Sequence, residues 1–384
     1  MIPSIGNLEK ARLQSIDALR GFDMFWIIGG DSLFKVLGAC LGMPVLVEQM
    51  QHVKWEGFRF YDLIFPLFLF IVGAVLPFSL AKYTDSAAGR GDRRHVYRRI
   101  FVRTLLLIAL GLIYSDFLRF DFTNFRWPGV LQRIGICYFF AAIAVLHVGV
   151  TGQAAFLVTL LTGYWALLRF VAAPGFAAFD LSPEGNLVGY VDRLLIPGKL
   201  YYGYGDNEGL LSTLPAIGTT LLGVLAGHWL RSKRPPLVKV LGLIAAAAVC
   251  WAGGEFWGQT FPIIKNLWTC SYVLVAGGYS LALLALFYLL IDVAGFHRWA
   301  FFFIVIGMNA VTIYMMQDFV DFRKIAEYFV GGAMKLIAPA TDSISAPLTA
   351  ATERPDIVVL WVAVIAIKWL VLVYLFRNKT FLRV

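Results

Sequence analysis

The chain has 384 residues, of which 59% are hydrophobic and only 15% charged, with a formal net charge of +9 and a mean hydropathy of +0.74. Soluble domains carry roughly 45–50% apolar and about 25% charged residues, so this balance excludes an ordinary soluble domain and indicates an integral membrane protein. The four cysteines, Cys40, Cys137, Cys250 and Cys270, show no C-x-x-C spacing, which argues against a disulfide framework or a metal site.

Apolar runs of about 20 residues recur along the chain, each long enough to cross a hydrocarbon core of roughly 30 Å as a helix. Barrel strands would be about half as long and would alternate. In chain order the expected spans are 17–41, 60–81, 100–118, 128–148, 153–172, 210–230, 237–253, 266–292, 299–317 and 357–376. The first carries Asp17, Arg20, Asp23, Asp31 and Lys35, which no signal-peptide core tolerates, so it is expected to stay as a helix. Neither a repeat nor a Gly/Ser or Pro linker divides the chain. Residues 1–384 therefore read as one all-α, polytopic transmembrane domain of about ten helices around a polar cavity.

The connecting segments separate by charge. One set is basic: Lys10 and Arg12; Lys82 and the run from Arg90 to Arg103; Arg231, Lys233 and Arg234; Arg298; Arg377, Lys379 and Arg383. The other is mixed or acidic: Glu48 and Glu56; Asp180, Glu184, Asp192, Asp206 and Glu208; Glu255; Asp342, Glu353 and Asp356. The sets alternate, and the positive-inside rule then places both termini in the cytoplasm, with the plasma membrane as the expected location. The net positive charge is explained by topology and contact with lipid headgroups, not by a nucleic-acid partner. The long outer segments near 173–209 and 318–356 are expected to cover an outward opening.

Polar residues interrupt the spans. In the first span Asp17, Arg20, Asp31 and Lys35 share a narrow arc, and charges of both signs there must face other helices or a wet cavity. The fourth span opens RWPGVLQRIG, with Arg126 and Arg133 seven residues apart and Gln132 beside them. Two arginines on one face need carboxylates, for which Asp116 and Asp121 are nearby, or a bound anion. The eighth span opens KNLWTCSY, aligning Lys265, Trp268 and Tyr272, and the ninth contains Asn309 and ends in Gln317 and Asp318. Such an interior marks a transport path or an active site.

Of the five histidines, His95, His147, His228 and His297 fall at cytoplasmic loops or helix ends, where headgroups or helix C-termini accept a cationic ring. His52 alone lies on the outer side, flanked by Glu48 and Glu56 and followed by Asp62 at the start of the second span. A carboxylate that fixes an imidazole tautomer makes a competent general base near neutral pH. A satisfied interfacial histidine is the alternative.

The stretch HVKWEGFRFYDLIFPLFLFIVG, residues 52–73, is similar to a segment of the heparan-alpha-glucosaminide N-acetyltransferase family, in which a histidine precedes Trp-x-Gly and an Asp-Leu-x-Phe-Pro helix. The resemblance continues, in order, through SIDALRGF (15–22), WPGVLQRIGICYF (127–139), GYVDRLL (189–195), DNEGLLSTLPAIGTTLLGVLAG (206–227), KNLWTCSYVL (265–274) and GMNAVTIY (307–314). It implies a relative without the large lumenal domain that precedes the spans in the animal enzyme. It also implies transfer of an acetyl group from cytoplasmic acetyl-CoA, a co-substrate, to the amine of a terminal glucosamine or related amino sugar across the membrane, with no metal. His52 becomes the catalytic histidine on this resemblance, either as general base or as acetyl carrier, with Asp62 to orient it. The acceptor and oxyanion contacts expected are Asp31, Trp55, Lys265, Trp268, Tyr272 and Asn309, and those for acetyl-CoA are Arg20, Arg126, Gln132 and Arg133. Where the animal enzyme has an asparagine followed by glycines, this chain reads IIGGDSLF, with Gly29, Gly30 and Asp31. The partners implied are membrane lipid, acetyl-CoA and an amino sugar, with a homodimer left open. Two rival readings are a multi-pass transporter of a sugar or amphiphile and an acyltransferase acting on a cell-envelope glycan.

Overall fold

A computed structural model describes residues 13–84, 93–337 and 354–381. The charges at Lys10, Arg12, Arg90, Asp342, Glu353 and Arg383, which the charge pattern assigns to the two membrane faces, lie outside the described residues. The helices run in the order α1 (Gln14–Phe25), α2 (Asp31–Cys40), α3 (Pro44–Gln49), α4 (Ile64–Ser79), α5 (Ala81–Thr84), α6 (Arg94–Tyr114), α7 (Val130–His147) and α8 (Val150–Phe170). They continue with α9 (Leu187–Leu195), α10 (Thr213–Arg231), α11 (Pro236–Gly258), α12 (Cys270–Phe287), α13 (Ala300–Met308), α14 (Ala310–Phe319), α15 (Phe322–Ile337) and α16 (Pro355–Arg377). No β-strand forms among the described residues, only isolated bridges.

Among the described residues, seven helices are long and apolar enough to cross a bilayer: Phe60–Ser79, α7, α8, α10, α11, Cys270–Val293 and α16. The bent pair α13–α14 makes eight if it counts as one span. The chain is thus an all-helical, multi-pass membrane protein. Of the other expected spans, 17–41 is a helical run broken between α1 and α2, and 100–118 is α6, whose first turns hold Arg94, Arg98 and Arg99.

Close backbone contact holds the bundle together. A Cβ atom on Gly73 of α4 would lie 1.9 Å from the Thr220 carbonyl oxygen, and one on Gly223 of α10 would lie 1.9 Å from that of Phe70. Only glycine permits this approach, and in lipid such packing replaces the hydrophobic drive that water supplies elsewhere. The contact matters to function because Asp62 sits just before α4 and Glu208 just before α10. Replacing Gly223 with leucine is expected to destabilise the fold by about 1–3 kcal/mol through overpacking. The effect is read as a lower melting temperature in detergent; an unchanged value would show that this seam does not hold the bundle.

Two expected spans are not simple helices. Between α1 and α2 the chain makes a π-helical segment, Trp26–Gly30, with Gly29 at φ 133°. A π turn holds one extra residue and rotates the helix beyond it, so Asp31 and Lys35 do not continue the arc of Asp17 and Arg20. The two pairs close locally instead, Arg20 with Asp17 at 3.6 Å and Lys35 with Asp31 at 3.0 Å. The freed Ile28 carbonyl accepts from the buried Lys368 ammonium of α16 at 2.7 Å. Likewise α13 and α14 meet at 70°, with Asn309 at the break.

Candidate active site

The loop from His52 to Arg59 is drawn onto a second loop, 260–269, by Gly57 N–H donating to the Ile263 carbonyl at 2.9 Å and by a bridge between Glu56 and Ile264. Gly57 has φ 116°, a conformation that favours glycine. The second loop is fixed by the Thr269 hydroxyl, which caps α12 by accepting from Tyr272 N–H, and by Trp268 in the left-handed region at φ 54°. Helix α12 therefore starts at Cys270 and not at 266, and Lys265 and Trp268 precede it instead of lining one side of it.

This docking brings Lys265 against His52. Asp62 is fully buried and collects four donors. Its Oδ1 lies 2.8 Å from His52 Nδ1 and 3.2 Å from Lys265 Nζ. Its Oδ2 accepts from the backbone N–H groups of Val53 at 3.3 Å and Arg59 at 3.1 Å. Lys265 Nζ lies 2.8 Å from His52 Nδ1 and 3.2 Å from Nε2. The carboxylate is the strongest acceptor present, so the tautomer that fits is the one in which Nδ1–H donates to Asp62 and Nε2 keeps its lone pair. The ring lies against Tyr61 with centroids 4.8 Å apart and planes tilted by 32°. Burial lowers the His52 pKa from the ordinary 6.5; Asp62 opposes this and Lys265 adds to it. Burial likewise lowers Lys265, against the pull of Asp62. The lowered pKa favours the neutral imidazole near neutral pH, beside the Asp62 carboxylate and the Lys265 amino group.

His52, Tyr61 and Lys265 stand on a cavity of about 340 Å³. Asn207, Glu208 and Gln317 complete its polar mouth, while Met24, Ile27, Phe68, Ile134 and Val311 line its apolar depth.

Across the mouth a second polar cluster braces the chain before α10. Arg126 donates from Nε and Nη2 to Asp206 at 2.8 and 2.6 Å, and also to Glu208. Burial alone would raise the Asp206 carboxyl, but the Arg126 guanidinium holds it below the usual carboxylate range. Asp192 accepts from the backbone N–H groups of Asp206 at 3.2 Å and Leu210 at 2.9 Å, and burial pushes it up to about 6. Arg133 donates to the Gly209 carbonyl at 3.0 Å and to Ser212 at 2.5 Å. The arginines thus find their partners around 206–212 and not at Asp116 and Asp121. Sequence gives no means of choosing among these acids; only the fold pairs them.

The remaining sequence-derived candidates are dispersed. Tyr272 is buried, with its hydroxyl donating to the Asp62 carbonyl at 2.8 Å, so it supports the site from behind. Trp268 donates its indole N–H to Thr219 at 3.1 Å and lies against the Arg133 guanidinium. Trp55 donates to the Leu181 carbonyl at 2.9 Å. Gln132 donates to the Trp127 carbonyl at 3.2 Å. Asp31 is held by Lys35, whose ammonium sits 5.3 Å from the Tyr61 ring centroid. Asn309 is buried and its side chain has no hydrogen-bond partner among the described residues, and Arg20 sits on α1 beside Asp17. Sequence reasoning missed Glu208, Tyr61, Tyr114 and Tyr314 as cavity residues. The DNEG stretch before an apolar run was the available signal for the first of these.

A family model described as "Heparan-alpha-glucosaminide N-acetyltransferase, catalytic" matches residues 12–256, a stretch that includes His52, Asp62, Arg126 and Glu208. The chain belongs to this family. It is 26% identical over 370 residues to human heparan-alpha-glucosaminide N-acetyltransferase, covering 80% of this chain and 53% of the human protein. The mouse protein of the same name is 27% identical over 382 residues, covering 83% of this chain and 55% of its own length. The chain thus spans about half the length of these relatives. Membership makes it a member of a transmembrane acetyltransferase family, and the His52–Asp62 pair lies within the matched region.

Proposed function

We propose that this protein moves an acetyl group from acetyl-CoA, supplied at the cytoplasmic face, to the amine of a terminal glucosamine or related amino sugar on the outer side. The observation that carries the proposal is an imidazole, oriented by a buried carboxylate and flanked by the Lys265 amino group, on a cavity with both polar and apolar lining. The names of the relatives supply the substrate class. The apolar depth suits the pantetheine arm of acetyl-CoA, and the polar mouth suits a sugar.

His52 Nε2 accepts the proton of the acceptor amine while its nitrogen bonds to the thioester carbon. The carbonyl oxygen becomes an oxyanion facing the Lys265 ammonium, the cation nearest the imidazole. Collapse of this intermediate breaks the carbon–sulfur bond, and CoA leaves as the thiolate or takes the proton from His52. Asp62 fixes the tautomer and stabilises the imidazolium formed on the way. Arg98 and Arg99, exposed in the first turns of α6, and Arg20 are the cations placed to meet the nucleotide end. Arg133, buried and committed to Gly209 and Ser212, braces the cavity wall in this scheme.

Because His52 acts here as a base within a ternary complex, CoA release is expected to require the acceptor. Purified protein mixed with acetyl-CoA alone releases no burst of thiol, and added glucosamine starts steady release. A stoichiometric burst without acceptor would transfer the role of His52 to that of an acetyl carrier. Amino-sugar flux without CoA release would support a transporter.

A further inference from the structure

Asp62 and Lys265 meet the His52 imidazole along its edge, at the ring nitrogens, and half of that side chain is exposed. Contacts at an edge leave a ring free to tilt out of its plane, and a tilt carries Nε2 off its line into the cavity. The face of the ring is met by Tyr61, which precedes Asp62 on the short helical turn Phe60–Leu63. The centroids lie 4.8 Å apart. One turn therefore holds the imidazole twice, by edge and by face.

Tyr61 in turn carries a cation. The Lys35 ammonium sits over its ring, 5.3 Å from the centroid, and is tied to Asp31 Oδ2 at 3.0 Å. The Ser32 hydroxyl donates to the other oxygen of Asp31 at 3.3 Å. Attraction between an ammonium and the electron-rich face of a ring holds both in place. Lys35 reaches Tyr61 because of the break between α1 and α2. There the Asp31 N–H donates to the Trp26 carbonyl, and the extra residue of the π turn rotates α2 out of the Asp17–Arg20 arc. Trp26 of the same segment packs edge-on against Phe60, with centroids 4.8 Å apart. The helix break and the turn that carries Tyr61 and Asp62 are thus one packed unit.

We propose that Tyr61 and Lys35 are positioning residues for the acetyl transfer, Tyr61 as the shelf that keeps His52 Nε2 aimed into the cavity and Lys35 as the cation that pins this shelf. The proposal rests on the reading of His52 as the base. The groups that face the imidazole are Asp62 ahead of α4, Lys265 ahead of α12 and Lys35 of α2, with Glu208 across the cavity mouth. Arg59, paired with Glu48, donates to the His52 backbone carbonyl. Lys35 disfavours the imidazolium, as Lys265 does, and Asp62 favours it. Loss of Lys35 therefore has an electrostatic signature that loss of a packing contact lacks.

Two measurements on the purified protein test this. Acetyl transfer is followed against pH, and ethoxyformylation of His52 by diethyl pyrocarbonate, which needs the neutral ring but no substrate, is followed against pH by mass spectrometry of its peptide. Lys35→Met is expected to move the midpoint of both profiles upward, and Lys35→Arg, which keeps the cation, to leave them in place. Tyr61→Leu is expected to lower kcat roughly 10- to 100-fold through misplacement of the base, and Tyr61→Phe, which keeps the ring face, to retain wild-type turnover. A Lys35→Met midpoint that stays or falls, an undiminished kcat in Tyr61→Leu, or a Tyr61→Phe defect as large as that of Tyr61→Leu would overturn the proposal. If no amino sugar is acetylated, the reaction assignment fails separately, and the ethoxyformylation midpoints decide alone. A rise confined to Lys35→Met then sustains the Lys35–Tyr61–His52 arrangement, and equal midpoints remove it.

Discussion

His52→Ala is expected to lower acetyl transfer by about a thousandfold, within the roughly 10²–10⁴ range of general acid–base contributions. The protein remains extractable, folded and able to bind acetyl-CoA. The ring is half exposed at the cavity mouth, so its loss opens space without removing core packing. The neighbouring side chains, Asp62 and Lys265, still meet each other at 3.2 Å. Turnover with and without acceptor, beside a melting curve of the same preparation, checks this. Retained turnover would remove His52 from the chemistry.

The second large effect is expected at Asp62, and its signature is a pH profile. In the proposed mechanism the neutral imidazole is the active form, and burial lowers its pKa from the ordinary 6.5, so kcat/KM should rise with pH along an acid limb centred below 6.5. Asp62 raises this pKa and Lys265 lowers it. Asp62→Asn therefore moves the limb further down and Lys265→Met moves it up. Asp62→Asn also costs about 10²–10³ in rate, because an amide can leave Nδ1 without an acceptor and let the ring take the wrong tautomer. The same depressed pKa has a stability consequence with a defined sign. The unfolded chain binds the proton more readily, so folding stability falls as pH drops through 6.5 towards the folded value. A limb that moves the same way in both variants would contradict the electrostatic assignment.

The pairing of His52 with Asp62 was legible in the sequence because both lie on one short loop, with the acid just ahead of an apolar run. The all-helical membrane architecture was legible for a similar reason: apolar run length needs only local counting. Lys265 could be recognised as polar at the head of a span, but its approach to His52 depends on a bridge between Glu56 and Ile264, 208 residues apart. No periodicity encodes such a contact. The partners of Arg126 were misassigned because several outer acids satisfy the same charge rule, and only tertiary packing selects Asp206 and Glu208. The π turn at Gly29 and the bend at Asn309 escaped a uniform 100° wheel, although the Gly29–Gly30 pair and a lone asparagine within an apolar run mark where it fails. Both breaks expose backbone or polar groups where helices pack, and Lys368 donating to the Ile28 carbonyl shows one way this is satisfied inside lipid.

Sided proteoliposomes test most directly whether donor and acceptor meet at His52 from opposite faces. With the protein inserted so that the His52 loop faces outward, acetyl-CoA sealed inside and glucosamine outside, N-acetylglucosamine should accumulate outside, one CoA thiol should appear inside for each acetyl moved, and His52→Ala should abolish both. Product formed only when acetyl-CoA and glucosamine share one compartment would contradict transfer through the membrane.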